Sequence, residues 1–219
     1  MPDPRLHLLQ LASPALPVGA YAYSQAMEYA VEAGWLDGEA LSAWLADGLQ
    51  LGVAQLDLPV LARAYAADAA GDFDGLQHWS NRLLAARETR ELLLEDQQLG
   101  GALLRLLRSL LEEPLPAFEQ APGFAVSFAI AAQRWSIPLE EAQNAYCYSW
   151  LENQVAAATK LVPLGQTAAQ QLLVTLFAEI PGTLRAATDV TDDDIGLSLP
   201  GLALASCRHE RQHTRLFRS

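Results

Sequence analysis

Lysine is almost missing from this chain: Lys160 is the only one among 219 residues. Leu161 follows it, so the Gly-rich turn ending in Lys and then Ser or Thr, which cradles nucleotide phosphates, is absent. No G-x-G-x-x-G turn and no G-x-S-x-G nucleophile elbow is present either. Any nucleotide hydrolysis tied to this protein must therefore belong to a partner. Cysteine is nearly as scarce. Cys147 and Cys207 are too few for a disulfide framework and fit a reducing compartment. Basic residues number 14 against 26 acidic ones, a net charge of -12. Such a surface repels nucleic-acid phosphates and anionic lipid, so neither is an expected partner. The first residues lack a basic segment followed by an apolar stretch, which predicts no secretory signal. The uncharged run from Leu161 to Ala178 is interrupted by Pro163, Gly165, Gln166, Gln170 and Gln171, unlike a membrane span. A cytoplasmic protein is expected.

What the chain does have is helical periodicity. Leu41, Trp44, Leu45, Gly48, Leu49, Gly52 and Leu56 share one helix face. Leu76, Trp79, Leu83 and Leu84 repeat the spacing, as do Leu99, Leu103, Leu106 and Leu110. Phe124, Phe128, Ala132 and Trp135 form another stripe, and Leu172, Leu173, Leu176, Phe177 and Ile180 a further one. Strand-like alternation does not persist. Gly34 is read as a helix end and Asp37 as the cap of the next helix. Pro59 suits the first turn of a helix capped by Asp57. Gly71 to Asp74, Glu113 to Gly123, Pro138, Pro163 and Pro181 to Thr183 are read as connections. The fold class expected is all-α: a single-domain multi-helix bundle of about nine or ten helices with a flexible C-terminal tail.

The tail from Arg208 onward carries four arginines in an acidic protein. Composition reads it as a frayed end or, with Leu216 and Phe217 as anchors, as a docking segment. His209-Glu210-Arg211-Gln212-His213 has the H-E-x-x-H spacing of zinc proteases, which on a helix aligns two imidazoles with a general base. No third ligand follows His213. A partial metal set of Cys207, His209 and His213 remains, beside the plainer reading of exposed tail histidines. His7 and His78 read as packing or surface residues. Arg87-Glu88-Thr89-Arg90-Glu91 reads as a solvated helix face. Asp192 to Asp194 reads as a helix cap, and Lys160 as a cation at a helix C-terminus.

Four segments, in order, resemble the UreF family of urease accessory proteins. The first is Ser13-Pro14-Ala15-Leu16-Pro17-Val18-Gly19 with Tyr23, Ser24 and Glu28. In it Pro17 and Gly19 make a sharp turn and Ser24 can cap the helix that follows. Ala20 stands where many members have a second glycine. The second is Arg87-Glu88-Thr89-Arg90, similar to the family's R-E-x-R, and the third Pro163-Leu164-Gly165-Gln166. The fourth is Leu199-Pro200-Gly201 through Arg208, His209 and Glu210 to Arg215-Leu216-Phe217-Arg218-Ser219.

The resemblance implies an all-α domain over 1–207 and a docking tail over 208–219. It implies a non-enzymatic homodimer that works with UreD (UreH in some species), the GTPase UreG and apo-urease in nickel insertion. No cofactor is implied for this chain: nickel is handled by the complex and GTP by UreG. The tail, from Arg208, His209 and Glu210 through Arg215, Leu216, Phe217, Arg218 and Ser219, is then the partner-binding segment. Ser13, Leu16, Pro17, Gly19, Tyr23, Ser24, Glu28, Arg87, Glu88, Arg90, Pro163, Gly165 and Gln166 are scaffold or partner surface. The competing expectations are a zinc-dependent hydrolase built on His209, Glu210 and His213, or a generic helical adaptor.

Overall fold

Asp3 starts the first helix: its side chain accepts the Arg5 N–H, and Pro4 occupies the first turn, where no donor is needed. The computed structural model describes residues 3–36, 39–196 and 198–219. The expected cap Asp37 lies outside them. Helix α1 (Pro4–Leu11) is followed by a 3-10 turn at Ala20–Ala22 and by α2 (Met27–Glu32). Next come α3 (Ala40–Asp47), α4 (Leu58–Ala70), α5 (Phe73–Ala85), α6 (Arg90–Leu110) and α7 (Phe124–Arg134). The chain continues through α8 (Leu139–Leu161), α9 (Gln166–Phe177), α10 (Ile180–Asp189) and α11 (Pro200–His209). Among the described residues there is no strand, and the all-α expectation holds.

The helix breaks were not all where the prolines suggested. α3 does not stop before Pro59. A π-helical stretch, Gly48–Asp57, carries it straight into α4, so three segments form one rod and the described residues make ten rods. Asp57 is helical and caps nothing. Pro59 has no N–H for the Gln55 carbonyl one turn back, and the Gly196 N–H takes that carbonyl instead at 3.2 Å. Wider π turns accommodate such a missing donor. Likewise Pro181 sits inside the first turn of α10 and does not form a connection.

The centre is α7. Every residue from Ala125 to Ala132 is buried, which is why this helix is apolar all round. It packs mainly on α4 and α6. The approach to α6 is so close that a Cβ on Gly100 would lie 2.0 Å from the Pro122 carbonyl oxygen, which explains a Gly-Gly pair inside a long helix. α11 lies against α2, and α1 against α8.

Candidate functional site

Gln25 and Ala26 both adopt the left-handed conformation, at φ 49° and 63°. For non-glycine residues this costs on the order of 1–3 kcal/mol each, so surrounding bonds must hold it. They do. The Gln25 amide donates to Glu95 Oε1 at 2.9 Å and its oxygen accepts from the Trp150 indole at 3.0 Å. Two residues earlier the Tyr23 hydroxyl donates to Gln98 at 2.5 Å. The turn formed by Pro17 and Gly19, whose φ is 86°, is thereby fixed against α6 and α8.

Arg87 sits at the middle of a buried cluster. Its Nη2 donates to Asp57 at 2.6 Å and its Nε to Asp96 at 2.8 Å. The Tyr146 hydroxyl also donates to Asp57, at 2.9 Å, and Asp96 accepts the Phe124 N–H at 2.6 Å, capping α7 from a neighbouring helix. Burial works against the guanidinium charge, but the two carboxylates outweigh it and hold Arg87 above its ordinary range. Burial pushes the Asp57 carboxyl upward while Arg87 pulls it down, and burial keeps the Tyr146 phenol protonated. The solvated-face reading of this segment is therefore corrected: residues 87–89 are a loop, Thr89 caps α6 through the Leu92 N–H, and Arg87 points inward. Glu88 accepts from Ser198 Oγ and the Leu199 N–H, tethering the start of α11. Arg90 is exposed.

The tail expected to be free is folded onto α2 and α6. Glu28 accepts the N–H groups of Leu216 and Phe217 at 2.6 and 2.9 Å. His209, fully buried, faces Glu28 at 3.2 Å and Glu91 at 2.6 Å. Arg215 also reaches Glu91, at 2.6 Å. Ser24 donates from both its N–H and its hydroxyl to the Ser219 carbonyl, and Ser219 Oγ donates to Glu95. The Lys160 ammonium lies 5.3 Å from the Phe217 ring centre. The tail holds because three body carboxylates, Glu28, Glu91 and Glu95, meet its donors. Glu95 sits in the cleft between them and the Arg87 cluster, and burial pushes its carboxyl up to about 7.

Beside the Arg87 cluster opens a cavity of about 370 Å³, bordered by Leu16, Trp44, Arg87, Glu95, Trp150 and Leu199. The N-terminal turn, the Arg87 loop and the start of α11 all border it. Pro163, Gly165 and Gln166 do not; they form the exposed turn between α8 and α9. The tail's zinc geometry also fails to form. α11 ends at His209, so His213 is not one turn along the same helix, and both His209 nitrogens face carboxylates. Among the described residues no group of three or more His, Cys, Asp or Glu could hold a metal ion. Asp192 does not cap a helix but pairs with Arg63 at 2.7 Å. His7 stacks on Trp135, and Lys160 lies in the last turn of α8, as expected.

A model of the UreF family matches residues 35–177, well over half of the chain. This chain belongs to the UreF family. Three relatives named urease accessory protein UreF run along nearly its whole length. That of Chromohalobacter salexigens is 51% identical over 97% of this chain and 93% of its own. That of Teredinibacter turnerae is 52% identical over 98% of both, and that of Pseudomonas putida W619 50% identical over 98% and 97%. Of the residues that the resemblance picked out in this UreF-family chain, Ser24 and Glu28 contact the tail, while Arg87 lies in a separate cluster with Asp57 and Asp96. The resemblance did not pick out their counterparts Asp57, Glu91, Glu95, Asp96, Gln98 and Tyr146. A signal for two of them was present: Glu95 and Asp96 interrupt the apolar stripe between Leu92 and Leu99, and charge on a buried helix face calls for a partner.

Proposed function

We propose that this chain is a urease maturation factor, a non-enzymatic scaffold that stands between UreD and the GTPase UreG while nickel is inserted into apo-urease. Family membership along nearly the full length carries the reading. The missing phosphate-binding loop agrees with it, because nucleotide chemistry is then left to UreG. Nickel is cargo of the assembly, and this chain needs no cofactor of its own. It works in the cytoplasm as a homodimer. No helix among the described residues is long and apolar enough to cross a membrane.

On this reading the partner surface is the exposed part of the tail. His209, Phe217 and Ser219 are buried in the body. Of the tail residues named above, the outward set is Arg208, Glu210, Arg215, Leu216 and Arg218, with Leu216 62% exposed. An exposed leucine beside arginines suits a partner pocket with acidic walls. Coupling to UreG requires that complexes containing this chain bind its nucleotide states with different affinities.

The test is urease activation in cells supplied with nickel, urease subunits, UreD and UreG, with and without this chain. Activity should depend on it and should survive His213→Ala. Leu216→Asp with Arg208→Glu should abolish co-purification with UreD while the helical fold is retained. Equal urease activity without the chain would overturn the reading.

A further inference from the structure

Beside the tail, on the face of α6 away from the Arg87 cluster, runs a shallow groove of about 480 Å³. Its walls are the N-terminal turn around Val18 and Tyr21 and the α6 positions Leu94, Gln98 and Arg105, with Arg218 of the tail at one side. Two features mark it. First, no aspartate or glutamate lines it, in a chain with 26 acidic residues. Second, Arg105 and Arg218 both border it, and among the described residues neither pairs with a carboxylate. Five other arginines, Arg5, Arg63, Arg87, Arg134 and Arg215, are each held by a carboxylate.

The floor is apolar and open. Tyr21 is 73% exposed and Leu94 41%. Leu94, Gln98 and Arg105 fall on one helix face, and the distance along it from Leu94 to Arg105 is roughly 16 Å, about three helical turns. An occupant of that length would bury apolar side chains on Tyr21 and Leu94 while its carboxylates reached the two guanidinium groups, which bind carboxylates in a planar, bidentate fashion.

We propose that this groove docks an acidic, leucine-bearing helical segment of a partner protein. The charge pattern carries the assignment: two arginines without a carboxylate partner stand in a groove that no acid lines, on an otherwise acidic chain. Steering should follow, because two cations in a locally acid-free groove focus an approaching anionic helix onto one place.

The probe is a fluorescein-labelled helical peptide of about fifteen residues with Leu and Glu repeated at i, i+4 spacing, titrated with the intact chain and followed by anisotropy. A second peptide replaces every Glu by Gln. Saturable binding of the Glu peptide is expected, at least tenfold weaker for the Gln peptide and weakened again by salt. Arg105→Glu, an exposed substitution, should cost at least tenfold with an unchanged thermal melt, and Arg105→Lys should restore part of the loss. Absence of saturable binding, equal binding of the two peptides, or indifference to Arg105→Glu would overturn the proposal. So would displacement of the Glu peptide by a single-stranded oligonucleotide, which would make the groove a phosphate site. Sedimentation showing a dimer that Leu94→Glu dissociates would also overturn it, since a second copy would then fill the groove.

Discussion

Arg87 and His209 each sit between two carboxylates, yet the two clusters differ in what closes them. The partners of Arg87, Asp57 and Asp96, lie 30 and 9 residues away and belong to the helical body. Those of His209, Glu28 and Glu91, lie 181 and 118 residues away, and contact is made only when the tail returns. The first cluster is part of the fold. The second is a clasp laid over a body whose core, centred on α7, does not depend on it. A buried charge without its partners is costly, so removing the centre of each cluster should have very different results.

Arg87→Met should produce the largest effect. It strands Asp57 and Asp96 inside the body, and a loss of about 3–5 kcal/mol is expected in urea unfolding. A loss below about 1 kcal/mol would place the cluster outside the cooperative core. Glu28→Gln should cost less, about 1–3 kcal/mol, because it weakens two charge-assisted bonds to the tail. Its signature should be rapid proteolysis after Arg208 or Arg211 while the body resists; a body that is cleaved as fast would join the two regions into one unit.

Glu95 sharpens the comparison because it touches both sides. Its folded pKa of about 7 lies above the ordinary 4.5, so the folded protein holds a proton that the unfolded chain has lost. Stability from this group is therefore full below about pH 4.5, falls as pH rises toward 7 and stays low above it. The slope is at most about 1.4 kcal/mol per pH unit. Subtracting the Glu95→Gln melt curve from the parent's across that window should recover the slope, and a flat difference would remove Glu95 from the account. The smallest effect should come from Asp192→Asn. Its carboxylate is 66% exposed opposite Arg63, and a change within about 0.5 kcal/mol is expected in the same unfolding measurement.

The helices were largely legible because their apolar stripes recur every three or four residues. Leu99 and Leu103 of the α6 stripe, for example, are buried as the spacing requires, while Leu106 is half-buried and Leu110, at the helix end, is exposed. Proline was the misleading signal. Pro59 and Pro181 read as breaks, but one lies just past a π-helical run and the other opens a helix, positions that tolerate a missing N–H. The site was half legible. Glu28, Arg87 and the tail stood out through family resemblance, but the bonds from Glu28 to the tail join residues 181 to 189 positions apart, and no local pattern records such pairings. The R-E-T-R segment misled for a related reason. Charged residues in a row read as solvated, and only the packing of α4, α6 and α8 around Arg87 turns that side chain inward. The tail's composition, rich in arginine, likewise said nothing of the three carboxylates that receive it.

Lys160 gives this molecule a built-in reporter. It carries the chain's single side-chain amine, and it rests beside the Phe217 ring of the folded-back tail. An amine-selective reagent therefore interrogates one side chain, and its reaction rate reads whether the ring is in place. Because that amine is native, any release of the tail from the body can be timed on the unaltered protein, with no introduced label.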